Sequence, residues 1–187
     1  MAIDLERDEL PHTLLCDGGK TVEVVTSFRA WLRWGRLLAA GVLTFDVLRD
    51  EPVEGWLAAA QEFYNSPVVT PRDTGHHGGV KAMDFALDGD YIVGAFQQAY
   101  GIDLTTEDMH WHRFLALIRS LPSETRLSGI VDARLYDETD EKRNHKQAMR
   151  DNRERWRLPE RGEQERRSAQ LDWQNEFFKD FAPQAQD

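Results

Sequence analysis

Between Asp88 and Tyr136 the apolar residues recur at helical spacing in three consecutive blocks, each closed by a helix-ending signal. The first block opens on Asp88 or Asp90 as a cap and runs through Tyr91, Ile92, Ala95, Phe96 and Ala99. It stops at Tyr100-Gly101, because glycine takes the left-handed conformation past a helix end without steric cost. The second opens at Thr105 or Thr106, with Met109 and Trp111 near its start, and carries Phe114, Leu115, Leu117 and Ile118 up to Pro122. The third starts at Ser123 and turns Leu127, Ile130, Val131 and Leu135 inward. Two short connections oblige three such helices to pack as near neighbours, so the chain is expected to be mainly α.

The N-terminal flank adds a hairpin and two more helices. Residues 12–16 and 20–26 are β-prone runs, and Asp17-Gly18-Gly19 between them tolerates the positive φ of a tight turn. Val22 and Val24 share one face of this ribbon and Glu23 takes the other. Two strands alone are marginal in water, so the ribbon must lie on the helices. Thr26 or Ser27 caps a helix that carries Phe28, Trp31, Leu32 and Leu38, with Arg29, Arg33 and Arg36 on the opposite side and an end near Gly41. Another runs from about Pro52 to Tyr64 on Trp56, Leu57, Ala60, Phe63 and Tyr64. Residues 65–82 are rich in Pro and Gly and read as a long flexible loop.

After Tyr136 the composition changes. From Glu138 to Arg167 there are ten Lys or Arg and eight Asp or Glu, with Met149, Trp156 and Leu158 as the only large apolar side chains. Such a stretch can be helical through ion pairs one turn apart, but it buries little of itself. The end of the chain is aromatic and acidic, with Leu171, Trp173, Phe177, Phe178 and Phe181 close to one helical face. The expected architecture is a compact multi-helix domain over 1–136, with its hairpin at 12–26 and loop at 65–82. A charged helical extension follows over 137–187.

Charge and cysteine use exclude several classes of function. Of 187 residues, 33 are acidic and 23 basic, a formal charge of −10, which opposes non-specific nucleic-acid binding. A single cysteine, Cys16, leaves no internal disulfide. Met1-Ala2-Ile3-Asp4-Leu5-Glu6 lacks the basic-then-apolar order of a secretory leader, and no run approaches the ~18 apolar residues of a membrane span. A cytoplasmic protein is expected, with neither nucleic acid nor membrane as partner.

The residues that could carry chemistry have simpler readings. His110 and His112 flank Trp111, but two positions apart on a helix they point about 200° from each other and cannot chelate one ion. His76-His77, with Asp73, lacks the ligand count of a tight site. Cys16 sits beside Asp17, which opposes the thiolate. Asp88, Asp90, Asp103, Glu107 and Asp108 stand at helix starts, where carboxylates cap and favour the dipole. No phosphate loop, nucleophile elbow or zinc-protease signature is present. No catalytic, cofactor-binding or metal-binding residue is therefore expected, and no cofactor. Six tryptophans exceed the need of a minimal core, and aromatics favour interfaces. Trp31 and Trp34 of the first helix, with Trp173, Phe177 and Phe181 at the end, are the expected exposed contacts to a partner or a second copy.

The middle helices carry a family resemblance. Asp90-Tyr91-Ile92 with Ala95-Phe96, then Tyr100-Gly101-Ile102-Asp103-Leu104, then Met109-His110-Trp111-His112-Arg113-Phe114 resemble the phage protein family usually called bacteriophage "g-p-fifteen". Leu10-Pro11 and the hairpin, residues 26–32, Leu127-Ser128-Gly129-Ile130 and Trp156-Arg157-Leu158-Pro159 are similar in kind. His112 stands where relatives tend to carry a second aromatic, which further weakens a metal or catalytic role for this pair. The family is encoded by tailed phages close upstream of the tape-measure gene and has no catalytic residues to carry over. The resemblance thus implies a non-enzymatic tail assembly chaperone that binds the tape measure protein, and with it self-association and contact with the tail tube protein. It would act in the host cytoplasm and be absent from the mature virion. The alternative is a minor tail or tail-completion protein retained in the particle, and a metal enzyme built on His76, His77 or His110 is the remote third.

Overall fold

A computed structural model of the chain describes residues 9–65, 81–136 and 146–159. Strands β1 (Thr13–Leu15) and β2 (Thr21–Glu23) form an antiparallel hairpin in which Leu14 faces Val22. Gly18 and Gly19 both take positive φ, 68° and 74°, as the Asp17-Gly18-Gly19 spacing requires. Alternation then sets the faces: Val22 and Val24 are buried while Glu23 is exposed. The segment 47–49 runs along the other side of β2, where Val25 N–H donates to the Val47 carbonyl and Arg49 N–H to that of Glu23. The ribbon is thus paired along the outer edge of β2, and β1 also lies against the second helix.

Six helices follow among the described residues: α1 (Phe28–Ala39), α2 (Trp56–Asn65), α3 (Gly89–Tyr100), α4 (Trp111–Arg119), α5 (Arg126–Leu135) and α6 (Lys146–Trp156). The fold is mainly helical with a short N-terminal hairpin, as the periodicity implied. Helix α3 ends as its sequence dictates, with Gly101 in the left-handed region at φ 68° and its N–H donated to the Gln97 carbonyl. Thr125 caps α5 by accepting from the Ser128 N–H.

Two helices begin later than their periodicity suggests. Helix α4 starts at Trp111, not at Thr105, because the Asp103 carboxylate takes both the Thr105 N–H (2.8 Å) and the Thr105 hydroxyl (2.6 Å) and holds 103–106 as a turn. Residues 109–111 then pair with the start of α1: Phe28 N–H donates to the Met109 carbonyl and Trp111 N–H to that of Thr26. Helix α2 starts at Trp56, not at Pro52. Gly55 has φ 80° and lies so close to the hairpin turn that a Cβ there would stand 2.5 Å from Asp17 Cγ. Only glycine fits that junction.

Around Phe114 the aromatic side chains stack. Its ring lies 4.8 Å from Phe28, 5.3 Å from Phe96 and 5.8 Å from Trp111, centroid to centroid, all within 20° of parallel. These contacts join α1, α3 and α4 into one core. Helix α1 brings Trp31 and Trp34 to the same core, where Trp31 stacks on Phe63 of α2. A Cβ on Gly35 would overlap the Tyr64 hydroxyl and the ring edge that carries it, so the missing side chain is what lets α2 close on α1.

Helix α6 lies against α5, across the expected boundary at 136. It buries no residue fully, in keeping with its charged composition. Its last residue does the anchoring: the Trp156 ring meets Tyr91 of α3 edge-on at 5.7 Å and lies under the Arg126 guanidinium at 4.9 Å.

Candidate functional site

Three places in the fold concentrate polar or exposed chemistry. The first is the histidine pair. His110 is the N-cap of α4, in extended backbone (φ −61°, ψ 138°), so its side chain turns back over the first turn and its Nδ1 accepts the His112 N–H at 3.0 Å. An accepting Nδ1 leaves the proton on Nε2, which donates to the Pro11 carbonyl at 2.9 Å. His112 is buried, and its Nε2 donates to the Phe63 carbonyl at 2.9 Å. The two rings are therefore not splayed apart: they meet edge-on at 5.3 Å. The expectation of opposed rings assumed that both residues were helical, and the cap geometry overturns it. Three of the four ring nitrogens are engaged by backbone groups, which suits fastening the N-terminus and α2 to α4 better than ligation. Among the described residues no three His, Cys, Asp or Glu gather as a metal site. His76 and His77 lie outside the described residues.

Burial also sets the protonation of this pair. It pushes His112 down to about 4, against the opposing pull of the Phe63 carbonyl, and lowers His110 as well. The His112 Nδ1 is buried with no partner among the described residues, so a proton there would be unsolvated. In the unfolded chain His112 titrates near 6.5. Between those values the unfolded state takes up a proton that the folded state refuses. The stability from neutral His112 is thus complete above pH 6.5 and is lost as pH falls toward 4. The expected loss is on the order of 3 kcal/mol for this proton, at about 1.36 kcal/mol per unit. Urea titrations at pH 7.5, 6 and 5 check it. His112→Gln, whose amide can still donate to Phe63, should flatten much of the slope, leaving the smaller His110 share.

The second place is a buried ion pair that sequence reasoning missed. Arg134 on α5 is 5 % exposed and Asp88 2 %. The guanidinium holds the carboxylate with both ends, Nη1 to Oδ2 at 2.7 Å and Nη2 to Oδ1 at 2.8 Å. Arg134 also donates Nη1 to the Ala82 carbonyl (3.0 Å) and Nε to the Trp156 carbonyl (2.6 Å), the last residue of α6. Asp88 Oδ2 in turn accepts the Asp84 N–H at 2.8 Å. Asp88 does precede α3, but its carboxylate serves this network and not the helix's own N–H groups. The signal was present in the sequence: Leu127, Ile130 and Arg134 share helical spacing, which places a charge on the buried stripe.

The third place is exposed and apolar. Five large apolar side chains stand out to solvent among the described residues, and three of them fall within four positions just after α1: Val42 (48 %), Leu43 (48 %) and Phe45 (50 %). Phe45 leans on Trp56 at 5.1 Å. Leu15 and Leu87 are the other two. Arg33 and Arg36 on α1 are exposed and make no ion pair or hydrogen bond among the described residues, whereas Arg29 does. Its guanidinium holds the Leu104 and Glu107 carbonyls at 2.8 Å each and sits 3.3 Å from Asp108.

Trp31 and Trp34 are not exposed. At 0 % and 1 % they lie in the core, and Trp31 Nε1 donates to the Val25 carbonyl at 2.7 Å. The expectation that they face outward is corrected: α1 is covered on two sides, by α2 and by α4, so Trp31 stays with the apolar stripe of Phe28, Leu32 and Leu38, and the stripe widens to take in Trp34. Trp173, Phe177 and Phe181 lie outside the described residues. Cys16 is buried at the hairpin turn, where burial first and Asp17 second push its thiol up and disfavour the thiolate. No helix among the described residues is long and apolar enough to cross a membrane.

A family model described as Bacteriophage Gp15 protein matches residues 61–158, more than half of the chain. The matched stretch holds the histidine pair, both members of the ion pair and the Trp156 anchor. No curated protein and no solved structure matches the chain. The chain belongs to the bacteriophage Gp15 family, a membership that suggests a structural or morphogenetic role in a phage.

Proposed function

We propose that this protein is a phage tail assembly chaperone that binds the tape measure protein, works without catalysis and leaves before the virion is complete. Family membership carries the reading, because it suggests morphogenesis. The surface supports it. A tape measure protein is a very long, largely helical chain whose apolar stripes would aggregate if left bare. The corner formed by Val42, Leu43 and Phe45 offers apolar area to such a stripe, while the net charge of −10 keeps a coated complex soluble. Three side chains bind weakly on their own, which suits a cover that tube subunits must displace. Several copies along one tape measure would gain their hold from avidity.

Co-expression with a tape-measure fragment tests the proposal. The fragment should become soluble and co-purify with the wild-type chain. A Leu43→Asp/Phe45→Ser double variant should retain its fold and reduce recovery of the fragment about tenfold, the loss of roughly 1.4 kcal/mol of apolar contact. Solubility that does not depend on this protein overturns the reading. Mass spectrometry of purified virions should find the chain absent, and finding it at structural stoichiometry would make it a minor tail protein instead.

A further inference from the structure

The corner at Val42–Phe45 carries a charge pattern that specifies the chemistry of its partner. We propose that it is a docking site for an amphipathic helix whose apolar stripe is bordered by lysine or arginine, supplied by the client chain. This deepens the function proposed above and rests on it for the client's identity, the tape measure protein.

Hydrogen bonds fix the corner at both ends. Gly41, at φ 79°, closes α1 with its N–H on the Leu38 carbonyl (3.0 Å) and the Val42 N–H on that of Leu37 (2.9 Å). Further on, Leu48 N–H donates to the Phe45 carbonyl at 2.8 Å, and the Val47 carbonyl is held by β2's neighbour Val25. Between these points the side chains are turned against their preference for water. Leu43 and Phe45 face solvent, while the Thr44 hydroxyl between them is buried without a hydrogen-bond partner among the described residues. Both choices cost stability in the free protein, and a surface already in its bound shape loses little entropy on docking.

Acids surround this apolar area. Residues 42–56 hold Asp46, Asp50, Glu51 and Glu54 against one base, Arg49. Asp46 adjoins Phe45, and Glu54 stands two positions before Trp56, on which Phe45 leans at 5.1 Å. The fold brings a fifth acid, Asp17, against Gly55. Asp46, Glu51 and Glu54 are exposed and make no ion pair among the described residues, so their charge is open to a partner. Arg49 turns its Nε toward the Val24 carbonyl at 3.4 Å. Counting back to Arg36 adds one more base, and the balance stays acidic.

Size and charge both select a helix over a second copy. Three half-exposed side chains offer at most about 300 Å² of apolar area, well short of the ~800 Å² per partner of a stable dimer. A twofold pairing of the corner would also set its carboxylates against their own copies. Lysines or arginines beside a helix's apolar stripe meet those carboxylates instead.

Binding of two labelled synthetic helices to the full-length protein, followed by fluorescence anisotropy, tests the site. Both carry the same leucine and phenylalanine stripe, bordered by lysine in one and by glutamate in the other. The lysine helix should bind at least about tenfold tighter in ~0.05 M salt, and the gap should close above ~0.5 M. Asp46→Lys with Glu54→Lys should abolish the preference. Glu124→Lys with Asp132→Lys, exposed on and just before α5, changes the net charge equally and should keep it. Phe45→Ser should weaken both helices. A photoreactive group on the lysine helix should label residues 42–56. Binding of neither helix, labelling elsewhere, or a preference that the two double variants lose alike overturns the proposal. Failure here is separable from failure of the chaperone reading. A tape-measure fragment held equally by wild type and by Asp46→Lys/Glu54→Lys sinks the charged site alone. A fragment that stays insoluble beside a protein that binds the lysine helix sinks the chaperone reading alone.

Discussion

Replacing Arg134 with leucine should cost about 3–5 kcal/mol and lower the melting temperature by roughly 10–15 °C. The leucine fills much of the space, so volume is not the issue. What is lost is the partner of a carboxylate that is 2 % exposed, held at 2.7 and 2.8 Å. Removing one member of a buried pair leaves the other charge or its proton in an apolar setting. Exchanging both members for apolar residues often repairs such a loss, but here it should not do so fully. Arg134 also satisfies the carbonyls of Ala82 and Trp156, and Asp88 the N–H of Asp84. In an Asp88→Leu/Arg134→Leu variant those backbone groups remain, each costing about 1–3 kcal/mol if unsatisfied. The double variant should therefore lose less than the sum of the single ones yet stay well below wild type, a pattern that a double-mutant cycle by urea unfolding reads directly. Helix α6 should respond first. With the Trp156 carbonyl released, its amide protection should fall more than that of α3 or α4.

Trp31→Ala should be as damaging, by about 3–5 kcal/mol. The indole is fully buried, stacks on Phe63 at 4.6 Å, meets Trp34 edge-on at 5.5 Å and donates to the Val25 carbonyl. Its removal opens a cavity between α1, α2 and the hairpin and leaves that carbonyl without its donor. The result separates two roles that look alike in sequence. A tryptophan that served a partner would leave the free protein's unfolding midpoint within about 0.5 kcal/mol of wild type when replaced, as surface changes do. A core tryptophan moves the midpoint by several kcal/mol. Phe45→Ser should behave in the first way, because half of Phe45 is already in water.

The difference between these two aromatics shows where sequence reading succeeds and where it stops. Helix α3 and its Gly101 end, the hairpin turn at Gly18-Gly19 and the inward set of Val22, Val24, Phe96 and Leu127 were all legible, since each follows from a period or from a residue with one permitted backbone conformation. Trp31 and Trp34 were not, because periodicity identifies a stripe but not how many neighbours will cover it. A surplus of tryptophan looks like an interface until α2 and α4 close over α1 from two sides. Phe45 escaped notice for the opposite reason: it sits in a connection with no period to betray its exposure.

Local chemistry alone determined that this chain is helical, where most helices stop and that a hairpin precedes them, because caps, turns and apolar spacing act within a few residues. It also determined that the protein is acidic and that the order of its middle helices matches a phage family, since both are properties of the string itself. Only the tertiary structure decided what long-range partners do. It spent the Asp88 carboxylate on Arg134, 46 positions away, and turned His110 from a helical histidine into a cap. It also sealed two tryptophans and left Val42, Leu43 and Phe45 outside. Desolvation is the common physical reason. What a polar or aromatic group costs depends on which atoms surround it, and that is settled by packing between segments that the sequence keeps far apart.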